Sequence, residues 1–440
     1  DLYVGTNGYV LEYAMQVDML DSFDHVVVLM LENRSFDNLL GYMYPDGVPA
    51  KAPLGKTFNG VTGKNLSNPV PQDVPGLPQP PDGSGKVLVA PVPVVENPQQ
   101  PASFNYFTPY PDPGEEYPQK NTQLFNTIKP PYNLPPSSVP LIPSENQGFV
   151  IDYVENFLRN EEKKMPTYED YKQIMECYST DAVPVLTTLA REFGVFDHWF
   201  CSVPSQTWCN RAFWNAGTSW GHVKNGLSKP IANSKSWIKN SIGTTLFNQI
   251  HNSGAHSPLN WNIYSEKNVP SLNGVIHAKA LAPFHGPIYD HFLDKSNFFE
   301  DCKNGKLPAY TFLEPNFILN HNDMHPSSYD SKLFGKGHVG SVLLGEKLVA
   351  DVYNAIKNSY SVEGNNAKHT LLIITFDEHG GCYDHVSPQE ATPPDLSGYT
   401  KWDDFNFDRT GVRIPTIMVS AHIAKNTVVN DPKEHTSFIN

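Results

Sequence analysis

The sequence predicts an α/β fold with a central, mostly parallel β-sheet, helices on both faces and a proline-rich flap. Two continuous apolar runs, Val26–Leu31 and Leu371–Phe376, are typical of strands buried on both faces of a parallel sheet. Helices are predicted over 183–193 and 340–357, where apolar residues recur at spacings of three and four. A third strand is expected at Ile414–Val419.

Composition limits the classes of protein that this chain can belong to. Its 440 residues, 39% of them hydrophobic, can bury a sizeable core, and we expect a single domain over residues 1–440. The net charge of −14 repels a phosphate polyanion, so nucleic acid is excluded as a partner. No run approaches 18 consecutive apolar residues, so the sequence predicts no transmembrane segment. The oligomeric state stays open.

Proline marks one long segment of irregular chain. About half of the 39 prolines lie between Pro69 and Pro143, where neither helical nor strand periodicity is visible. Long loops in compact proteins are commonly functional covers, and clustered aromatic residues indicate that this one packs. We therefore predict that residues 66–145 form an irregular flap over the active site. The aromatic residues are Phe104, Tyr106, Phe107, Tyr110 and Tyr117.

The five cysteines fit neither a zinc ribbon nor a dense disulfide scaffold. The chain begins at Asp1 without a basic and apolar leader, and we interpret it as the mature form of a secreted protein. In an oxidising compartment Cys201 and Cys209, which bracket a loop, are a candidate disulfide pair. The alternative is that all five cysteines are buried, inert thiols.

Hard oxygen ligands follow both predicted buried strands. Glu32 and Asn33 come directly after the first strand, and Asp377 and Glu378 directly after the second. The carboxyl ends of strands form the binding edge of an open α/β sheet, so these side chains can converge. Like charges at close range repel unless a cation lies between them, which predicts a divalent metal. The alternative is that they are polar loop residues that cap strand ends.

A third segment offers a hydroxyl nucleophile. Turn-forming residues precede Thr207, and the residues after it can begin a helix. A helix N-terminus favours an anion such as phosphate, and a nearby metal can activate the hydroxyl of Thr207 or Ser205. The alternative is an ordinary helix cap.

Four ordered motifs resemble one known family. They are Glu32–Gly41 (ENRSFDNLLG), Pro204–Arg211 (PSQTWCNR), Asn322–Pro326 (NDMHP) and Phe376–Val386 (FDEHGGCYDHV). Together they resemble the phosphoesterase family that contains bacterial phosphatidylcholine-hydrolysing phospholipases C, plant non-specific phospholipases C and an acid phosphatase. The resemblance extends from Phe23 to the closing EHTS at 434–437.

The resemblance implies an alkaline-phosphatase-like core and a set of site residues. A metal would be held by Glu32, Asn33, Asp377 and Glu378, and by the nucleophile Thr207. His325 and His338 would act on the phosphate and the leaving group. Substrate contacts are expected from three further residues, namely Glu115, Asn210 and His379. His385, by contrast, suits a buried structural role.

These expectations lead to a secreted phospholipase C that hydrolyses the glycerol-side phosphodiester bond of phosphatidylcholine-type lipids at membrane surfaces. All-oxygen ligation suits calcium or magnesium, whereas the resemblance implies zinc, so we expect zinc with calcium as the alternative. The same residues would serve an acid phosphatase acting on monoesters. A catalytically inactive extracellular binding protein with this fold is the alternative from another class.

Overall fold

The computed structural model describes most of the chain. The described residues are 23–44, 57–95, 103–126, 144–159, 164–225, 237, 243–253, 260–286, 289–318, 320–327, 330–331, 335–336, 340–362, 364–395 and 405–439. All structural statements below refer to them.

Eight strands form one twisted central sheet. In chain order they are β1 (His25–Leu31), β2 (Gly194–Phe196), β3 (Trp261–Ser265), β4 (Phe292–Asp294), β5 (Tyr310–Leu313), β6 (Thr370–Phe376), β7 (Thr416–Val419) and β8 (Thr427–Val429). Their spatial order is β4-β3-β5-β1-β6-β7-β2-β8. Only β7 runs antiparallel to its two neighbours, so the predicted mostly parallel sheet is confirmed.

The register of β1 and β6 places the two predicted ligand pairs side by side. These strands are parallel, and Leu31 at the end of one lies opposite Phe376 at the end of the other. Residues 27–31 of β1 are fully buried. Because successive strand residues point to opposite faces, this burial requires that both faces of the sheet are covered.

The helices are mostly short. Those in the described residues are α1 (Phe36–Leu40), α2 (Tyr117–Phe125), α3 (Phe149–Arg159), α4 (Tyr168–Tyr171), α5 (Pro184–Glu192), α6 (Thr207–Ala216), α7 (Leu246–Asn252), α8 (Leu272–Ile276), α9 (Ala278–Leu281), α10 (Lys295–Lys303) and α11 (Val342–Lys357). Three 3₁₀ segments are Lys172–Met175, Ala282–Phe284 and His435–Phe438. The predicted helices over 183–193 and 340–357 correspond to α5 and α11.

Small two-stranded ladders connect the loops. They pair Ser67–Pro69 with Lys86–Leu88, Ala90–Pro91 with Glu176–Cys177, Val94–Val95 with Ser103–Phe104, Trp199–Phe200 with Lys433–Glu434, His285–Gly286 with Tyr289–Asp290, and Asp330–Ser331 with Gly335–Lys336.

The proline-rich segment is more ordered than the sequence indicates. Its described part holds short strands and the nine-residue helix α2. A capping box joins Glu116 to Gln119, and Pro118 occupies the first turn, where a missing N–H costs nothing. Short, strongly capped helices of this kind carry too little apolar periodicity to be read from the sequence.

None of the helices among the described residues combines the length and the apolar character that crossing a membrane requires.

Candidate active site

The loops after β1 and β6 meet at the carboxyl edge of the sheet. The backbone N–H of Asn33 donates to Asp377 Oδ1 at 3.1 Å, and the N–H of Glu378 donates to the same oxygen at 2.7 Å. All three side chains are buried, with 0% of each residue exposed. The structure therefore brings together the two pairs that the sequence places more than 340 residues apart.

Backbone geometry makes this close approach possible. Asn33 has a left-handed φ of 58°, and Gly380 has a φ of 60°. A Cβ on Gly380 would lie 2.3 Å from the carbonyl oxygen of Asn33, far inside contact distance. Only glycine fits where the two loops cross, which explains the first glycine of the FDEHGG motif.

Arg211 supplies positive charge to this edge. Its Nη2 donates to Glu32 Oε1 at 2.9 Å, and its Nε lies 3.5 Å from Asp377 Oδ2. The guanidinium is fully buried, yet its Nε and Nη1 have no hydrogen-bond partner. Arg211 therefore joins α6 to the ends of β1 and β6 and retains unused donors beside two carboxylates.

Lys120 brings a second cation from α2. Its Nζ donates to Glu378 Oε2 at 2.6 Å, and both side chains are fully buried. The backbone of this region also packs closely, because a Cβ on Gly381 would lie 2.7 Å from the carbonyl oxygen of Gly114. Part of the proline-rich segment thus lies directly on the predicted ligand residues.

The carboxylates at this edge have perturbed pKa values. Burial and the nearby Asp377 raise the pKa of Glu32 well above its usual value, although Arg211 opposes the shift. Burial raises the pKa of Glu378 to about 8 against the attraction of Lys120. Burial likewise raises the pKa of Asp377. Clustered carboxyl groups with raised pKa values are typical of functional sites.

Buried side-chain oxygens without a hydrogen-bond partner indicate whether a metal ion fits at the carboxyl edge of the sheet. Asn33 Oδ1, Asp377 Oδ2 and Glu378 Oε1 are buried and have no hydrogen-bond partner in the part of the chain that the structure describes. Buried polar atoms are nearly always paired, so three orphans at one edge fit a ligand with positive charge. Hard oxygen donors suit a divalent cation. The residues present therefore fit the predicted metal.

The arrangement differs from the prediction in one respect. In the described residues, two sets of three side chains bring candidate ligand atoms within 4.8 Å of one another, and the predicted carboxylates are in neither: Asp37 with Asp384 and His385, and Asp112 with Glu115 and His325. The physical reason is that Glu32 pairs with Arg211 and Glu378 pairs with Lys120. Each of these carboxylates therefore lies against a basic side chain instead of against other candidate ligands. The first set is already neutralised by Arg413, which pairs with both of its aspartates.

Thr207 is the first residue of α6, as the sequence predicts, and is 6% exposed. Arg211 follows one turn later on the same helix face, and its guanidinium contacts Glu32 and Asp377 at the edge. Ser205 differs, because it is completely buried and its hydroxyl donates to the carbonyl of Val223. The two hydroxyls are therefore not equivalent.

His325 lies between two carboxylates. Its Nε2 is 3.1 Å from Glu115 Oε1, and its Nδ1 is 3.7 Å from Asp112 Oδ1. Burial alone would lower its pKa, but Asp112 and Glu115 outweigh burial and raise the pKa of His325 well above its usual value. The amide nitrogen of Asn33 contacts both His325 and Glu115, at 3.0 and 2.5 Å. The imidazole of His325 is thus held beside the predicted metal ligands by two carboxylates.

Comparison with known proteins identifies the family. The sequence matches the Phosphoesterase family over residues 23–440. This chain belongs to the Phosphoesterase family. It is 33% identical over 425 residues to non-specific phospholipase C6 of Arabidopsis thaliana, covering 93% of this chain and 64% of that protein.

More distant relatives include phospholipase C B of Mycobacterium tuberculosis (strain ATCC 25618 / H37Rv), 23% identical over 65% of this chain and 54% of that protein. A solved protein of the alkaline phosphatase superfamily from Vibrio parahaemolyticus overlaps 57% of each chain with a TM-score of 0.32 and 14% identity. This phosphoesterase spans less than two thirds of the length of the curated relatives named here.

Two residues that were predicted to contact substrate have other roles in this phosphoesterase. The side-chain amide of Asn210 bonds to Val203, Ser205 and Gln206 and so holds the loop before Thr207 in place. His379 is completely buried, with Nε2 2.8 Å from the side-chain oxygen of Gln123. In this structure the Asn210 amide and His379 Nε2 are engaged in these contacts, and substrate contact by either residue stays a prediction.

Other predicted residues have mixed outcomes. Glu115 reaches the site from the proline-rich segment, whereas His338 lies outside the described residues. The predicted disulfide is wrong in this structure, where all five cysteines are buried free thiols. Cys201 packs in the main core and Cys209 in a separate cluster around α6, which keeps the two sulfurs in different environments.

Sequence reasoning missed the two buried cations and one acid. Arg211 is the last residue of the motif Pro204–Arg211, and its spacing of four residues from Thr207 is a signal that could have been used. Asp112 stands three residues before Glu115, and this spacing is a comparable signal. Lys120 carries no comparable signal, because a lysine in a polar nine-residue helix is ordinarily exposed.

Proposed function

We propose that this phosphoesterase is a metal-dependent phospholipase C that hydrolyses the glycerol-side phosphodiester bond of phosphatidylcholine-type lipids to diacylglycerol and phosphocholine. The observation that carries the proposal is the set of three buried oxygens on Asn33, Asp377 and Glu378 that have no hydrogen-bond partner among the described residues, at the edge that Arg211 of α6 contacts. The relatives named phospholipase C supply the reaction class. The proposal includes secretion, which would expose the enzyme to lipid surfaces.

The metal site would be formed by Glu32, Asn33, Asp377 and Glu378, with Thr207 as a further ligand. Zinc is the proposed metal and calcium the alternative. When bound, the cation would neutralise negative charge on the phosphate and lower the pKa of a nearby hydroxyl.

Thr207 would act as the nucleophile. Its hydroxyl would lose its proton to solvent, and Oγ1 would form a bond to phosphorus while the bond from phosphorus to the glycerol oxygen breaks, which leaves phosphocholine on the threonine. Water would then attack the phosphorus, break the bond to Oγ1 and release phosphocholine. Arg211, one turn further along α6, has two nitrogens, Nε and Nη1, without a hydrogen-bond partner among the described residues, and their N–H groups can orient a phosphate oxygen.

His325 would protonate the departing glycerol oxygen. Its contacts with Glu115 and Asp112 support this role, because two carboxylates favour the protonated ring and fix its direction. General acid catalysis of this kind contributes about 10²- to 10⁴-fold to the rate. Asn33 contacts both His325 and Glu115 and would link the acid to the metal ligands.

The proline-rich segment would cover the substrate entrance. Support comes from the described residues Glu115 and Lys120, which contact Asn33 and Glu378. A cover that carries both a carboxylate and a lysine into the site would couple lipid entry to the arrangement of the metal ligands.

The proposal is tested by comparing a short-chain phosphatidylcholine with an aryl phosphate monoester, before and after chelation. We expect faster hydrolysis of the diester, loss of activity with chelator, and recovery on addition of zinc. Preference for the monoester would favour an acid phosphatase. Undiminished activity after metal removal, verified by metal analysis, would exclude the metal-dependent mechanism.

A further inference from the structure

A separate cavity of about 530 Å³ lies at the far end of α6 from Thr207. Its walls come from the last turn of α6, the start of α7, the loop at 390–394 and the segment that includes Glu434. None of the described residues that line it is a predicted catalytic, metal-ligating or substrate-contacting residue, so this cavity is distinct from the edge where the ligand residues meet.

The polar groups in the cavity walls are suited to a positively charged ligand. Glu390 and Glu434 supply two carboxylates, of which Glu434 also accepts hydrogen bonds from Ser202 and Thr436, and Thr392 and Gln249 add neutral polar groups. The described residues that line the cavity include no lysine, arginine or histidine. Two acids without a basic partner attract a cation and repel phosphate.

The end of α6 adds further negative potential. The helix ends at Ala216, both Ala216 and the following Gly217 line the cavity, and the carboxyl end of a helix carries partial negative charge. Asn215, which is 0% exposed, also lines it, and its side-chain Oδ1 is buried without a hydrogen-bond partner. Its amide nitrogen bonds to the Arg211 carbonyl and to Asn273, which fixes the direction of that oxygen.

Apolar walls distinguish an organic cation from a bare metal ion. Phe213 and Phe407 line the cavity and stack on each other, with ring centroids 5.9 Å apart. Leu246 and Pro394 add aliphatic surface. Methyl or methylene groups bound to a charged nitrogen suit this combination of aromatic, aliphatic and acidic walls.

We propose that this cavity binds an organic ammonium ion, by ion pairing with Glu390 and Glu434 and by apolar contact with Phe213 and Phe407. The site is independent of the proposed catalytic reaction. The same chemistry could come from a quaternary lipid head group or from a polyamine.

Calorimetric titration with choline and with spermidine tests the site and separates the two sources. We expect saturable binding of at least one, and no binding of 3,3-dimethyl-1-butanol, the uncharged isostere of choline. Glu390→Gln should weaken binding about fivefold, as expected for a partly exposed charge pair. Thr392→Lys, which adds a positive charge to the exposed rim, should abolish it.

Asp181→Asn, a neutralisation of an exposed acid outside the cavity, serves as the control and should bind like the unchanged chain. Glu390→Gln should hydrolyse a soluble phosphoester at the original rate. Failure of both cations to bind, equal binding of the uncharged isostere, or full affinity in both cavity variants would overturn the proposal.

Discussion

The backbone N–H of Asn33 donates a hydrogen bond to the carboxylate of Asp377, 344 residues later in the chain, at 3.1 Å. This contact follows from the parallel pairing of β1 with β6, which ends both strands at the same level of the sheet. The Asp377 oxygen that accepts the bond is not the one left without a partner. One oxygen therefore holds the loops together while the other is available to a cation.

Asp377→Asn separates these two roles. The amide oxygen can still accept from the Asn33 N–H, so we expect the fold to persist, with the melting temperature measured by circular dichroism. Loss of the charge should weaken metal binding at least tenfold in a calorimetric titration and remove most activity. Asp351→Asn, at an exposed ion pair with Lys347, is the matched control. Normal metal affinity in Asp377→Asn would contradict the proposed ligand set.

Lys120→Met should be strongly destabilising without metal. Above the Glu378 pKa of about 8, removing this cation leaves an ionised, buried carboxylate unpaired, a loss that costs about 3–5 kcal/mol in the free energy of unfolding. Chemical denaturation in the presence of a chelator measures it. Lys347→Met removes an exposed lysine paired with Asp351 and should change the free energy by less than about 1 kcal/mol. Equal effects of the two substitutions would show that the buried pair contributes nothing.

Asp152 predicts a specific pH dependence of stability. Burial raises the pKa of this carboxyl from 3.8 to about 7, opposed by a hydrogen bond from Gln123. Between about pH 4 and pH 7 the native state therefore holds a proton that the unfolded state has lost. Stability falls as pH rises through this window, by at most about 1.4 kcal/mol per pH unit.

Asp152→Asn should remove this contribution. Urea denaturation at several pH values should show a smaller loss of stability between pH 4 and pH 7 in the variant than in the unchanged chain. Asp181→Asn, at an exposed position, should leave the original slope. An unaltered slope in Asp152→Asn would mean that Asp152 ionises normally in the native state.

The central sheet was predictable because the composition of its buried strands is visible in the sequence. Continuous apolar runs become β1 and β6, and the polar residues after them become the site edge, as the general rule for open α/β sheets predicts. The direction of β7 was not predictable in this way, because a buried strand has the same composition whether it runs parallel or antiparallel. Pairing direction depends on long connections that leave no local pattern.

The charged side chains that contact the predicted metal ligands could not be predicted from the sequence. Glu32 and Asn33 could be predicted from their position after a strand, whereas Lys120 reaches Glu378 through a tertiary contact across 258 residues. Asn210 is a further case, since a motif position implied substrate contact, which stays a prediction, whereas the structure shows its amide bonded to the loop before Thr207. Motif membership identifies a residue as important without stating which partner it has.

Thr207 and Ser205 provide an internal comparison for the nucleophile. Thr207→Ala should remove most turnover, whereas Thr207→Ser should retain measurable activity because a hydroxyl stays at the same carbon. Ser205→Ala should be mild for catalysis, since its hydroxyl is bonded to the Val223 carbonyl. Steady-state hydrolysis of a short-chain phosphatidylcholine measures all three. If Ser205→Ala were inactive and Thr207→Ala active, the nucleophile would be Ser205.

Trapping the covalent intermediate tests the proposed mechanism most directly. Turnover of phosphatidylcholine is quenched with acid within milliseconds, and the digested protein is analysed by mass spectrometry. The mechanism predicts a phosphocholine mass increment on Thr207 that is absent from Thr207→Ala and from chelated enzyme. An unmodified Thr207, in a sample whose burst of diacylglycerol equals the enzyme concentration, would contradict it.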